Sequence, residues 1–168
     1  TIRVKVTDPN NSSRRTWQSF KIVRVWHRTP DDSWIFGGGW RHHPNVTLSM
    51  MESHAIEMSL KGWIMGIPHG GAKGGIAFDP RRYSRDDISI ITRKAVDKAL
   101  EHNCIGPYID RWAPDVGTNE KDMKCIQDHY STEMRKRGIA QPAACVTGKP
   151  VNAGGMPGRK EATGRGLH

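Results

Sequence analysis

The chain has 168 residues, of which 36% are hydrophobic and 26% are charged, a balance typical of a globular protein that excludes a largely disordered chain. Lysine and arginine exceed aspartate and glutamate by 26 − 17 = +9, and this positive net charge favours anionic partners such as small carboxylates. Nucleic acid is a minority alternative, because the basic residues are scattered along the sequence. Three cysteines without a Cys-x-x-Cys pair argue against disulfides and zinc, and no apolar run reaches the roughly 18 residues of a membrane span. We therefore expect a soluble protein of a reducing compartment without a metal site.

Strand and loop patterns alternate at the start of the chain. Apolar and polar residues alternate in Thr1–Val6 and again in Phe20–Trp26, which predicts two strands. The polar run 8–13 between them predicts a loop, and residues 29–33 predict a turn. A cluster of three glycines follows at positions 37–39.

Helical spacing begins at Thr47 and continues to about Met65. Apolar residues recur there every three or four positions, which places them on one face of a helix. They are Leu48, Met51, Ala55, Met58, Gly62 and Met65. Ser49 and Glu52 resemble a capping box, and Pro68 ends the helix.

The segment Ile67–Pro80 is the most distinctive part of the chain. It places one lysine, Lys73, between two pairs of glycines. Because glycine reaches positive φ and lets a ligand approach the backbone, this pattern predicts a tight loop. Burial of that loop in a cleft would strip water from the lysine ammonium and let it exchange protons near neutral pH. An ordinary turn with a solvated lysine is the alternative. A Walker A loop is excluded because glycine, not serine or threonine, follows the lysine.

Two further helices are predicted downstream. Ser84, with Asp87, caps the first, whose apolar positions share one face. They are Ile88, Ile91, Ala95 and Ala99. Thr118 is the expected N-cap of the next helix, through about Met134, with Met123, Ile126 and Tyr130 on its inner side. Asp115 precedes that helix and is expected near backbone N–H groups; a simple turn aspartate is the alternative. The final part is loop-like until a helix that begins near Lys160.

In this order the motifs resemble the glutamate dehydrogenase branch of the amino-acid dehydrogenases. The strongest match is the lysine and glycine signature of Ile67–Pro80, with Met58-x-x-Lys61 upstream at the family's spacing. The other matching segments are Ile105–Asp110, Ala113–Thr118, Val146–Pro150 and Gly158–Gly164. The resemblance covers about 20–168 and leaves 1–19 as an N-terminal extension. It implies an α/β fold with a mixed sheet flanked by helices, like the N-terminal substrate-binding and dimerisation domain of these enzymes.

The resemblance also implies the catalytic groups. Lys73 would activate water against the iminium carbon of the substrate and stabilise charge on the intermediate. Asp115 would pass protons to and from the substrate nitrogen. The reaction implied is the oxidative deamination of an L-amino acid, glutamate in the first instance, to the 2-oxo acid.

Binding residues follow from the same matches. Lys61 would bind the substrate α-carboxylate, with Met58 in the substrate site beside it. Gly38 and Gly39 would line that site with backbone groups. Arg159 and Thr163 would face the nicotinamide end of NAD or NADP.

Two features depart from the family pattern. Glutamate enzymes carry a lysine immediately before the glycine pair, where it binds the substrate side-chain carboxylate, and here that position is Gly37. Only four residues follow Gly164, so the nucleotide-binding Rossmann domain is absent from the sequence given. We expect this chain alone to bind no cofactor and to be inactive.

Three functions therefore stay open. The chain is a dehydrogenase domain seen without its NAD(P) part, or a non-catalytic paralogue that serves as a structural subunit of a larger assembly, such as a mitochondrial one. A stand-alone carboxylate-binding module is the third. Family members assemble through this domain, so the resemblance also implies self-association or docking to a partner, in the mitochondrial matrix or the cytoplasm.

Overall fold

The computed structural model describes residues 1–28, 35–139 and 142–167, without the side chains of four residues in short helical segments. Those four are Pro142, Ala143, Lys160 and Thr163. The turn predicted at 29–33 lies outside the described residues. The strands are β1 (Ile2–Asp8), β2 (Asn11–Phe20), β3 (Ile22–His27), β4 (Phe36–His42), β5 (Gly70–Ile76) and β6 (Asp110–Pro114). The helices are α1 (Leu48–Ile64), α2 (Arg85–Glu101), α3 (Glu120–Lys136) and α4 (Arg159–Arg165), with short 3-10 turns at Pro80–Arg82, Pro142–Cys145 and Val151–Ala153.

The larger sheet is a mixed sheet of four strands in the order β3-β5-β4-β6. β4 runs parallel to both of its neighbours, β5 and β6, whereas β3 is antiparallel to β5. Parallel strands need a crossover, and α1 supplies it between β4 and β5. The predicted α/β fold with a mixed sheet flanked by helices is confirmed.

β1 and β2 pair antiparallel and form a separate two-stranded sheet. Its inward positions Ile2, Val4 and Val6 are buried in the same cluster as the inner faces of α2 and α3. The predicted apolar faces of these two helices are confirmed, since each of their named residues is buried. The loop predicted at 8–13 is shorter than expected: β2 begins at Asn11, because antiparallel pairing with β1 satisfies its backbone groups.

Helix starts were predicted with mixed success. Ser84 caps α2 as expected and accepts a hydrogen bond from the Asp87 amide at 3.1 Å. For α3 the prediction of Thr118 is wrong by one residue, because Asn119 forms the capping box and the Thr118 hydroxyl donates to the Trp40 carbonyl instead. The predicted box of Ser49 and Glu52 is also wrong, since the N-cap of α1 is Thr47.

The prediction of a tight loop around Lys73 is wrong. Gly70–Ile76 is strand β5, and all seven of its residues are buried. A Cβ at Gly71 would overlap the α1 backbone, and one at Gly74 would overlap the Val23 carbonyl of β3 and, less closely, the Arg24 side chain. The glycines therefore let a helix and a neighbouring strand approach an extended strand; they do not form a turn.

Candidate active site

The centre of the candidate site is an ion pair between Lys73 and Asp115. Lys73 lies in the middle of β5, and Asp115 follows directly after the last residue of β6. The Lys73 Nζ contacts Asp115 Oδ2, and the two side chains are only 10% and 15% exposed. The two predicted catalytic residues, 42 positions apart in the sequence, are thus in direct contact.

Asp115 is held in its ionised form. Burial raises the pKa of its carboxyl, but the hydrogen bonds from Lys73 and the Val116 amide, with the charges of Lys73 and Arg41, outweigh burial and hold the pKa below its ordinary value. The Val116 amide donates to Asp115 Oδ1 at 2.7 Å, which confirms one of the expected backbone N–H contacts. At neutral pH the carboxylate is therefore charged and accepts hydrogen bonds.

Arg41 is a site residue that the sequence reasoning missed. Its Nε donates to Asp115 Oδ1 at 3.0 Å, and its Nη1 lies 3.2 Å from Nε2 of His54 on α1. Nδ1 of His54 in turn lies 2.9 Å from Oε2 of Glu57. The only sequence signal for Arg41 was its position two residues after the glycine cluster. In a strand its side chain points to the opposite face of the sheet from that of Trp40.

Gly38 and Gly39 bring the β4 backbone against this ion pair. A Cβ at Gly39 would overlap the Asp115 carboxylate, and a Cβ at Gly38 would overlap the Ala72 carbonyl of β5. Both glycines are needed for these close approaches, because any side chain would displace a neighbouring backbone or the carboxylate. The prediction that the backbone of these glycines faces the substrate site stays a prediction.

A second buried ion pair holds the same strands together. The Arg24 Nε of β3 donates to Asp110 Oδ2 at 2.6 Å, and its Nη1 donates to the Gly39 carbonyl at 2.9 Å. The Trp26 indole also donates to Asp110 Oδ2, at 2.7 Å. Since Arg24 crosses above Gly74 to reach β4 and β6, it ties three strands together. Removing one partner of such a buried pair typically costs about 3–5 kcal/mol.

A cleft of about 740 Å³ opens beside Asp115. Asp115 and Arg159, which are 44 positions apart, both line it, together with Thr118, Asn119 and Met156. Its volume is within the roughly 300–1,000 Å³ usual for small-molecule sites. The structure thus brings one predicted cofactor residue to the same cleft as the predicted proton carrier.

The remaining predicted site residues lie elsewhere or are not described. Lys61 is exposed and Met58 is half-buried, both on α1, and neither lines that cleft. The side chain of Thr163, on α4, lies outside the described residues. Within 1–28, 35–139 and 142–167, no group of three or more His, Cys, Asp or Glu could hold a metal ion. None of the helices in that part of the chain is long and apolar enough to cross a membrane.

Comparison with known proteins gives relatives for most of the chain. It is 45% identical over 129 residues to the NADP-specific glutamate dehydrogenase of Synechocystis sp., a match of 77% of this chain and 29% of the relative. It is 42% identical over 130 residues to the glutamate dehydrogenase of Thermotoga maritima, covering 77% and 30%. The mitochondrial glutamate dehydrogenase of Dictyostelium discoideum is 40% identical over 130 residues, covering 77% and 26%. The chain thus spans less than a third of the length of these relatives.

Solved structures and a family model agree with this. Glutamate dehydrogenase from Peptoniphilus asaccharolyticus superposes with a TM-score of 0.84 at 34% identity, over 99% of this chain and 39% of that one. A hetero-hexameric glutamate dehydrogenase from Thermus thermophilus, in a Leu-bound form, gives 0.82 at 32% identity, over 98% and 37%. Residues 2–132 match the model of the Glu/Leu/Phe/Val dehydrogenase dimerisation domain. The chain therefore belongs to the Glu/Leu/Phe/Val dehydrogenase family, as its N-terminal, dimerisation domain.

Proposed function

We propose that this chain is the substrate-binding and oligomerisation part of an NAD(P)-dependent dehydrogenase that oxidises an L-amino acid, glutamate in the first instance, to its 2-oxo acid. The observation that carries the proposal is the contact between Lys73 and Asp115, mostly buried, over the close-packed backbone of Gly39. Asp115, one member of this acid–base pair, lines a cleft of small-molecule size, and proton transfer at a bound amino acid requires such a group beside the bound substrate.

Asp115 is the proposed proton carrier. Its pKa lies below the ordinary value, so Asp115 is ionised at neutral pH and has lone pairs to accept a proton from the substrate ammonium; the lowered pKa makes this transfer a transient one. The substrate amine is then neutral, as it must be before its carbon can become an iminium carbon. Arg41 and the Val116 amide hold the carboxylate while the proton is received.

Lys73 is the proposed second catalytic group. Its ammonium contacts Asp115, so the two side chains can pass a proton between them without solvent. Once Asp115 has released the substrate proton, Lys73 can give its own proton to Asp115. The neutral Lys73 amine would then take a proton from the water that attacks the iminium carbon, and the ammonium so formed would donate to the oxygen of the adduct. Lys61, on the exposed part of α1, supplies a cation for the substrate carboxylate under this proposal, with Met58 one turn before it on the helix.

The cofactor implied by the family is NAD or NADP. Arg159 places a cation at the edge of the cleft that also contains Asp115, and the cleft is large enough for a substrate next to a nicotinamide ring. The chemistry that a bound nicotinamide would supply is a hydride acceptor for the substrate carbon. Thr163 stays a proposed contact of the nicotinamide end.

Assembly through this domain is the second part of the proposal. Several large apolar side chains on and just after α1 are exposed, as expected of a surface that another subunit covers. They are Ile56, Leu60, Trp63, Ile64 and Ile67. The Thermus relative is a hetero-hexamer. We propose a homo-oligomer, or a subunit of a mixed assembly, in the cytoplasm or in the mitochondrial matrix, where the Dictyostelium relative is assigned by name.

A non-catalytic structural subunit is the alternative function. It is favoured by Gly37, which offers no charge at the position where the family resemblance implies a lysine for the substrate side chain. Under this alternative the ion pair between Lys73 and Asp115 only stabilises the sheet.

The experiment is a Lys73→Ala substitution in the full-length protein, assayed for amino-acid oxidation with NAD and with NADP. We expect turnover to fall at least about 100-fold, since positioned acid–base groups contribute roughly 10²–10⁴-fold. Lys94→Ala is the matched control, because Lys94 is 52% exposed on α2 and pairs with Asp97. Unchanged turnover in Lys73→Ala would refute the catalytic proposal. A wild-type protein that is folded and assembled but inactive with both cofactors would favour the structural subunit.

A further inference from the structure

His54 occupies a position on α1 that none of the proposed catalytic steps uses. Its side chain is 27% exposed and faces β4, where it meets Arg41. Arg41 therefore lies between two partners, with its Nε on Asp115 and its Nη1 on His54. The first contact joins β4 to the residue that follows β6, and the second joins β4 to α1.

The position of protons in this chain of contacts follows from the donor inventory. A guanidinium has only donors, so an Arg41 N–H bonded to His54 needs a lone pair on Nε2. The neutral ring must then carry its proton on Nδ1, which donates to Oε2 of Glu57 at 2.9 Å. The hydrogen bond from His54 lowers the pKa of Glu57 against the opposing effect of burial, so Glu57 is an acceptor at neutral pH. Glu57 thereby selects the tautomer of His54 that can receive Arg41.

We propose that His54, oriented by Glu57, is a positioning residue that fixes the Arg41 guanidinium and, through it, the Asp115 carboxylate. The proposal rests on the proposed dehydrogenase function, because it assigns His54 a part in presenting the proposed proton carrier. His54 itself touches no reacting atom.

The physical reason is the freedom of a long side chain. Arg41 loses rotamer entropy when it is fixed, and its single Nε contact leaves the Nη groups to be held by something else. His54 is the partner that the structure gives to Nη1. With the guanidinium held at both ends, Oδ1 of Asp115 has a fixed donor and Oδ2 is left to Lys73. Each carboxylate oxygen then has its own cation.

Three variants of the full-length protein separate positioning from general stability. His54→Leu removes the acceptor at similar volume. His54→Gln keeps one, since its amide oxygen can accept from Arg41. His129→Leu is the matched control, because His129 on α3 pairs with Asp97 and contacts none of the site residues described above.

The kinetic expectation is a split between kcat and KM. In His54→Leu we expect kcat to fall roughly 10- to 100-fold with KM within about twofold, because a misplaced catalytic group mainly slows the chemical step. His54→Gln should recover most of that loss, and His129→Leu should resemble the wild type. Wild-type kcat in His54→Leu, or equal losses in the Leu and Gln variants, would overturn the proposal.

Crystal structures of the wild type and the two His54 variants give a readout that needs no activity. The contact between Arg41 Nε and Asp115 Oδ1 should persist in the wild type and in His54→Gln and be lost in His54→Leu. Its persistence in His54→Leu would overturn the positioning role whatever the activity. An inactive wild type would refute the dehydrogenase proposal alone, and these structures would still decide whether His54 fixes Arg41.

Discussion

His42 makes the stability of this protein depend on pH in a way that can be measured. Its side chain is fully buried, its ring lies 5.1 Å from that of Phe78, and neither ring nitrogen has a hydrogen-bond partner in the described part of the chain. Burial lowers the pKa of His42 from 6.5 to about 4; the charge of Asp122 opposes this shift and that of Arg85 adds to it. The folded protein therefore keeps this ring neutral well below the pH at which the unfolded chain protonates it.

The sign and size of the effect follow from proton linkage. Between pH 6.5 and about 4 the unfolded chain binds a proton at His42 that the folded chain does not, so stability falls as the pH falls through this window. The loss of unfolding free energy from this one group is about 1.4 kcal/mol at about pH 5.5 and about 3 kcal/mol at about pH 4. Above about pH 7 the group contributes no pH dependence.

The assay compares wild type with His42→Phe by urea denaturation of the full-length protein at several pH values. Phenylalanine keeps a ring of similar size against Phe78 and cannot be protonated. We expect the stability of the variant relative to wild type to rise by about 3 kcal/mol between about pH 7.5 and pH 4. His129→Phe, at a partly exposed position, is the control and should not show this rise. Parallel curves for wild type and His42→Phe would refute the reasoning.

Two predictions concern the glycine cluster of β4. Gly39→Ala places a methyl group on the Asp115 carboxylate and should lower kcat roughly 10- to 100-fold, whereas Gly62→Ala, whose Cβ would meet only ordinary contacts, should leave kcat unchanged. Equal kcat values for the two variants would show that the Asp115 position does not limit the reaction. Gly37→Lys should fit, because a Cβ at this position meets nothing closer than 3.7 Å. The variant should raise the preference for glutamate over a neutral amino acid of the same length by roughly 10- to 100-fold. This factor corresponds to the free energy of one hydrogen bond to a charged group. Gly37→Met is its control: an equal gain in both variants, measured as the ratio of the two kcat/KM values, would contradict a charge effect.

Local patterns in the sequence were sufficient for most of the helices. The apolar spacing of α2 and α3 depends only on which residues recur every three or four positions, and their inner faces are buried as predicted. The first residues of the helices were predicted less accurately, because more than one polar residue near a helix start can serve as the N-cap. At α3 both Thr118 and Asn119 are suitable, and the choice was made by the Trp40 carbonyl of β4, which binds the Thr118 hydroxyl.

Glycine-rich segments are where the sequence predicts the local structure least well. Gly70–Ile76 has the composition of a loop, but it is a buried strand because α1 and residues 23 and 24 of β3 pack where side chains would otherwise lie. The presence of a glycine does not indicate whether the chain turns there or whether another segment packs closely against it. The residues that pack against the glycine decide this, and they come from other parts of the chain.

The sequence by itself determined the α/β class, the extent of the long helices and, through the order of its motifs, the family and the candidate residues Lys73 and Asp115. Tertiary structure alone decided that these two touch, that Gly39 makes room for the carboxylate, and that Arg41 and His54 join the site. The reason is physical. Periodicity and caps depend on residues within one or two turns, whereas an ion pair depends on where two distant strands end. Its members therefore carry no local signal of the partner they meet.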